Sequence, residues 1–244
     1  SQIGACDLVL IALKSTSNHA LEELLPPLIK EDTMLLTLQN GLGNEEFLAA
    51  KFGAHRVIGG LCFVCINRVA PGEIHHLGAG TISIGEFNGL PHPRTHEIAS
   101  EFKRSGVVCN VKADLARECW KKLVWNIPFN GLSIAAGGID VAQILADDEL
   151  KQRARELMRE VINSAKKLGH DLPISLVEDQ IKATLPMGAY KPSSLIDYLE
   201  GRAVEVEAIW GEPLRRAKQA GAKTPELEKL YSEISTCMDS RRSV

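Results

Sequence analysis

The sequence is short of several things, and each shortage excludes a class of protein. It holds six cysteines in 244 residues, Cys6, Cys62, Cys65, Cys109, Cys119 and Cys237, scattered through an ordinary core-forming sequence. That spread does not suit a disulfide framework, and a reducing cytoplasm fits it best. The formal net charge is only −3, so whole-chain charge gives no reason to expect a nucleic-acid partner. No apolar run approaches the length of a membrane span, and the start of the chain carries no signal-peptide pattern. Internal repeats and low-complexity tracts are lacking too. What remains is 45% hydrophobic and 24% charged, the composition of a globular chain with room for one large domain or two modest ones.

One absence is specific. A dinucleotide-binding domain should open with a strand and a G-x-G-x-x-G turn into a helix, and no such fingerprint occurs. The stretch "QNGLGNEE" has Gly41 and Gly43 after a strand pattern but lacks the third glycine. The single C-x-x-C, Cys62 and Cys65, lies in a strand pattern, where residues three apart point to opposite faces. That spacing suits neither a zinc site nor a redox pair, so both are expected to be structural and no metal is expected.

What is present is a change of pattern along the chain. Residues 7–13, 33–39 and 56–68 read as strands, and 18–29 and 44–53 as helices, the first interrupted late by Pro26-Pro27 and the second closed by Gly53. Strand and helix in alternation predict a parallel sheet with crossover helices. After Pro71-Gly72, two short antiparallel strands are expected about Gly78 and Gly80, then a helix near 94–105 and a strand over 107–112. From residue 114 helical periodicity takes over, through 114–135, 141–168, 174–185, 194–220 and 225–240. The predicted domains are therefore an α/β unit over 1–113 and an all-helical unit over 114–244.

Within the first predicted helix of the second unit, "ECWKKLVWNIPFN" carries Lys122, Asn126 and Asn130 at steps of four. Such positions share a face only about 80° wide. By itself the row is equally a solvated stripe or a set of directed donors and acceptors facing a cleft. Lys121 points about 100° away and is expected to be solvated.

Four features in order settle on a family. They are the strand ending in lysine, "LVLIALK", with Lys14; "QNGLGNEE" with Asn40; the row "WKKLVWNIPFN"; and "KPSSLIDYLEGRAVEVEAIWG" with Ser193 and Glu205. Together they resemble ketopantoate reductase (2-dehydropantoate 2-reductase), over nearly the whole chain. The resemblance implies a Rossmann-like domain followed by a helical domain, with an active site in the cleft between them and NADPH as cofactor. It implies Lys122 as catalytic acid, and Asn126, Asn130 and Ser193 as substrate contacts. Lys14, Asn40 and Glu205 fall at cofactor positions, with Asn40 also near the substrate. The partner is then a small 2-keto acid, with no nucleic acid or membrane, and a homodimer is open.

The chemistry agrees with those assignments. Reduction of a 2-keto acid builds negative charge on the carbonyl oxygen, which a lysine ammonium can polarise and protonate. Asparagines orient hydroxyl and carboxylate oxygens without competing for that proton. Ser193 follows Pro192 at a predicted helix start, where backbone N–H groups favour a carboxylate. Leu195, Tyr198, Arg202, Glu205 and Ile209 fall on one helical stripe, which would turn Glu205 inward. Plainer readings stand beside these: Lys14 as a strand-end surface lysine, Asn40 as half of an Asn-Gly turn, Glu205 as a partner of Arg202. Two departures from the family also stand. About 60 residues, two strand–helix units with the glycine-rich loop, are expected to be missing ahead of residue 1. Pro128 inside the row is expected to bend the helix between Asn126 and Asn130. Reduction of 2-dehydropantoate is the leading reading. A reductase of another bulky 2-keto acid and a shortened, non-catalytic form that binds no dinucleotide are the alternatives.

Overall fold

A computed structural model describes residues 3–242, in two compact units, Ser1–Glu118 and Cys119–Val244. The first unit is built on a five-stranded sheet in the order β1-β2-β3-β4-β5: Leu8–Ile11, Met34–Thr37, Val57–Ala70, Glu73–Glu86 and Val108–Val111. β1, β2 and β3 run parallel, β4 returns antiparallel to β3, and β5 is parallel to β4. The helices between them are α1 (Leu21–Leu24), α2 (Asn44–Phe52) and α3 (Pro93–Arg104).

Adjacent residues of a strand face opposite sides, and here both sides are covered. Leu35 packs with Ile11, Leu21, Leu25 and Leu48, towards α1 and α2. Its neighbour Leu36 packs with Ile58, Ile84 and Ile98, towards α3. This is why β2 reads as an unbroken apolar run rather than an alternation. The far side is tied down by Glu86 at the end of β4, which accepts hydrogen bonds from Arg94 and Thr95 in the first turn of α3.

Two expectations for this unit change in detail. Residues 73–86 form one strand of 14 residues, not two short ones. The irregularity about Gly78 and Gly80 is absorbed as bulges in the ladder with β3, with Ala79 at φ 56° and Gly80 at φ 149°. The helix expected over 18–29 is a short α1 flanked by 3₁₀ turns at Ser15–Ala20 and Pro26–Leu28. Pro26 and Pro27 lack the N–H groups that an α-helix would need there.

The second unit is helical. α4 spans Leu115–Ala135, its first four residues falling in the first unit, and α5 (Val141–Ala146), α6 (Asp148–Lys167), α7 (Leu176–Thr184), α8 (Ser193–Leu199), α9 (Glu212–Gln219) and α10 (Pro225–Arg242) follow. α6 buries Ala154, Leu157, Met158, Val161, Ile162 and Ala165, a stripe at three- and four-residue steps. Glu160 accepts from the backbone N–H groups of Glu226 and Leu227, both at 2.9 Å, and so caps the start of α10.

The helix expected over 141–168 is interrupted at Asp147. That residue is extended and its side chain accepts from the Leu150 N–H at 2.9 Å, ending α5 and starting α6. The helix expected over 194–220 is also two. Gly201 takes φ 80°, and the Arg202 N–H returns to the Asp197 carbonyl at 2.8 Å, a Schellman closure of α8. Helix resumes at Val206 as a π turn over Glu207–Gly211 that leads into α9.

Candidate active site

In the first unit the parallel pairing aligns Leu8 with Met34 and Ile11 with Thr37, so β1 and β2 end at the same edge of the sheet. Ligands of open α/β sheets bind outside this carboxyl edge. Lys14 and Asn40 both follow it closely. Lys14 is exposed, extended at φ −61° and ψ 141°, and heads the 3₁₀ turn that follows β1. Asn40 is half-buried, and its carbonyl accepts from the Asn44 side chain at 3.0 Å. Gly41 and Gly43 take φ of 86° and 94°, values an L side chain resists, and turn the chain into α2. The two glycines of "QNGLGNEE" thus serve a turn.

In the second unit the row on α4 lies in a packed setting. Leu123, Val124, Ile127 and Phe129 are buried, and Trp125 packs against Phe129 with ring centroids 5.1 Å apart and planes tilted by 34°. Lys121 is exposed and Lys122 half-buried, one turn before Asn126. Asn126 and Asn130 are 8% and 3% exposed, too little for a solvated stripe. Asn130 uses both ends of its carboxamide. Its Nδ2 donates to the Asn126 carbonyl at 3.1 Å, and its Oδ1 accepts from the Ser194 N–H at 3.2 Å. α4 is continuous across Pro128, and the carbonyl before that proline, Ile127, accepts from the Trp210 indole at 3.0 Å.

Asn130 therefore joins α4 to the first turn of α8, where Ser193 is exposed and Ser194 buried. One first-turn N–H expected to be open at this helix start is taken by Asn130. Glu205 is buried, at 4% exposure, but not for the expected reason. The helical stripe through residues 195–209 does not exist, because Gly201 breaks it and Glu205 lies in the non-helical link before Val206. Arg202 pairs with Asp197 at 2.9 Å and with Glu200.

The sequence profiles of the family agree with this architecture. That described as "Ketopantoate reductase PanE/ApbA" matches residues 1–89, and that described as "Ketopantoate reductase PanE/ApbA C terminal" matches residues 114–237. A 2-dehydropantoate 2-reductase of Nostoc sp. is 42% identical over 239 residues, 96% of this chain and 75% of the relative. The chain belongs to the ketopantoate reductase family.

Solved structures of 2-dehydropantoate 2-reductases agree in fold. That from Geobacter metallireducens GS-15 has a TM-score of 0.94 at 46% identity, covering 96% of this chain and 78% of the other. That from Methylococcus capsulatus has a TM-score of 0.90 at 31% identity, covering 97% and 76%. The ketopantoate reductase family is one of NAD(P)-dependent oxidoreductases. Among the described residues no helix is long and apolar enough to cross a membrane, and no group of three or more His, Cys, Asp or Glu could hold a metal ion.

Sequence reading missed several buried polar residues beside these positions. Ser194, rather than Ser193, makes the backbone bond to Asn130. Gln39 and Asn44, buried at 7% and 2%, flank Asn40. The signal was there: uncharged amides cluster at the end of a buried strand, where side chains that cannot ionise are expected to bond to one another.

Proposed function

We propose that the protein reduces 2-dehydropantoate to (R)-pantoate with NADPH, in the cytoplasm and as a homodimer. The observation that carries this is the row on α4: a half-buried ammonium followed at one and two turns by two buried carboxamides, the second bonded to the helix start that bears Ser193. Lys122 is the general acid. Its ammonium polarises the keto oxygen and gives its Nζ proton to the alkoxide as the carbonyl carbon becomes tetrahedral. Asn126 and Asn130 orient the substrate's oxygens, and the exposed Ser193 hydroxyl meets its carboxylate. Asn130 is held before substrate arrives, by its bonds to the Asn126 carbonyl and the Ser194 N–H, which lowers the entropy cost of aligning it.

Three residues of this chain fit parts of a dinucleotide other than its pyrophosphate. Lys14 offers an exposed cation and Asn40 a half-buried carboxamide at the carboxyl edge of the sheet, and Glu205 offers a buried carboxylate as an acceptor for ribose hydroxyls. NADPH, when bound, supplies the hydride. Asn40 contacts both cofactor and substrate in this reading.

The test is steady-state oxidation of NADPH and of NADH with a panel of 2-keto acids. The reading expects 2-dehydropantoate and NADPH to give the highest kcat/KM. Lys122→Ala should lower kcat by about 10² or more. A Lys122→Ala enzyme with near-parental kcat removes Lys122 from the chemistry. A better bulky 2-keto acid reassigns the substrate.

A further inference from the structure

A line of amides behind the carboxyl edge of the sheet does nothing in the reading above. The Thr37 hydroxyl donates to Gln39 Oε1 at 3.0 Å. Gln39 Nε2 donates both to the Leu13 carbonyl and to Asn18 Oδ1, each at 2.8 Å. Asn18 Nδ2 donates to Asn44 Oδ1 at 3.0 Å, and Asn44 Nδ2 donates to the Asn40 carbonyl at 3.0 Å.

The direction of this line is fixed by its ends. The Leu13 and Asn40 carbonyls can only accept, so NH₂ groups of Gln39 and Asn44 must face them. Asn18, the one amide between them, then has a single orientation that satisfies both neighbours. Thr37, Gln39 and Asn44 are nearly fully buried, where an acceptor facing an acceptor is costly. The line therefore transmits orientation. Its two backbone anchors are Leu13, the residue before Lys14, and Asn40 itself.

We propose that Gln39, Asn18 and Asn44 are positioning residues, a directed amide relay that sets Lys14 and Asn40 together for the dinucleotide. The inference rests on the proposed cofactor roles of those two residues. A relay made only of amides carries no charge and titrates at no ordinary pH, so it fixes the two loops without competing with Lys14 for anionic groups of the cofactor. Side chains beyond the first contact commonly hold a site to within about half an ångström.

The decisive variant is Asn18→Asp. Asn18 is only half-buried, so a carboxylate there stays hydrated and still accepts from Gln39. It presents an acceptor to Asn44 Oδ1, however. Asn44 must turn its amide over, which points its oxygen at the Asn40 carbonyl and pushes Asn40 away. Asn44→Ala, which deletes the last link without adding charge, is the second variant and carries the test if the first does not fold.

Calorimetric titration of NADPH into the full-length protein, with thermal unfolding in parallel, reads the result. Both variants should raise Kd, and the KM for NADPH with it, by about tenfold, a change of about 1.4 kcal/mol. A merely structural role would lower the melting temperature and leave Kd unchanged. Unchanged NADPH affinity in a folded variant overturns the relay and leaves the proposed function standing. Failure of the unsubstituted protein to bind NADPH overturns the proposed function and the relay with it.

Discussion

Replacing Asn130 by alanine should cost stability as well as activity, and the size of the stability cost follows from its two hydrogen bonds. The carboxamide is 3% exposed, and Ser194, whose N–H it accepts, is 2% exposed. The variant leaves that N–H in the first turn of α8 without its partner. An orphaned buried donor costs about 1–3 kcal/mol. The Asn126 carbonyl loses less, since in a regular helix it also accepts from the N–H four residues on. A net loss of about 2 kcal/mol is expected, or about 4–8 °C in melting temperature for a chain of this size. Trp120, Trp125 and Trp210 all lie within Cys119–Val244, so tryptophan fluorescence in a urea titration reports on the helical unit alone. Asn130→Asp keeps an acceptor for the Ser194 N–H but sets its second carboxylate oxygen against the Asn126 carbonyl at a buried position, so it should not recover the loss near neutral pH. Hydrogen exchange at the Ser194 amide should speed up in the alanine variant and not in the aspartate one. A loss below about 0.5 kcal/mol in Asn130→Ala, or unchanged exchange at the Ser194 amide in that variant, refutes the cap, since single hydrogen bonds are worth more than that.

Two further outcomes are expected. Gly131→Ala should destabilise the helical unit by about 1–3 kcal/mol despite alanine's better helix propensity, as overpacking does. A Cβ there would lie 2.6 Å from Leu230 Cδ2 and 2.9 Å from Trp210 Nε1, and an unchanged urea midpoint would contradict this. Glu86 should contribute to acid stability. Burial alone would raise its pKa, but the Arg94 and Thr95 hydrogen bonds and the Arg94 charge outweigh it and hold the carboxyl below its ordinary value. Its contribution is present above the unfolded-state pKa and is lost as pH falls through the lower folded-state pKa. Glu86→Gln should therefore cost about 1.5–3 kcal/mol near neutral pH and flatten the acid limb of the stability curve, measured by urea unfolding at several pH values. An acid limb identical to that of the parent protein would exclude Glu86 as a source.

The local signals in the sequence were sufficient wherever one residue's own chemistry decides the backbone. Pro26-Pro27 stopped an α-helix, Gly53 closed α2, and apolar runs at residues 7–13 and 33–39 marked strands, the second buried on both faces but the first an edge strand that leaves Leu10 exposed. The row on α4 was equally visible, because helix periodicity alone puts Lys122, Asn126 and Asn130 on one side. The same periodicity misled after Ser193. The stripe from Leu195 to Ile209 stays in phase, yet Gly201 at φ 80° ends α8 within it. A glycine is compatible with both outcomes, and the Arg202 N–H to Asp197 carbonyl bond is what selects the break.

Hydrophobic patterning by itself determined which faces of the strands and helices turn inward, and with them the order of a sheet unit and a helical unit. Only tertiary structure decided what the buried polar groups bond to. Asn130 finds a backbone N–H 64 residues away, and Gln39 finds Asn18 at a separation of 21. Burial is a property that one residue's neighbours in sequence can announce through their period. A hydrogen bond needs a particular donor and acceptor within about 3 Å, and only the closed fold brings them there.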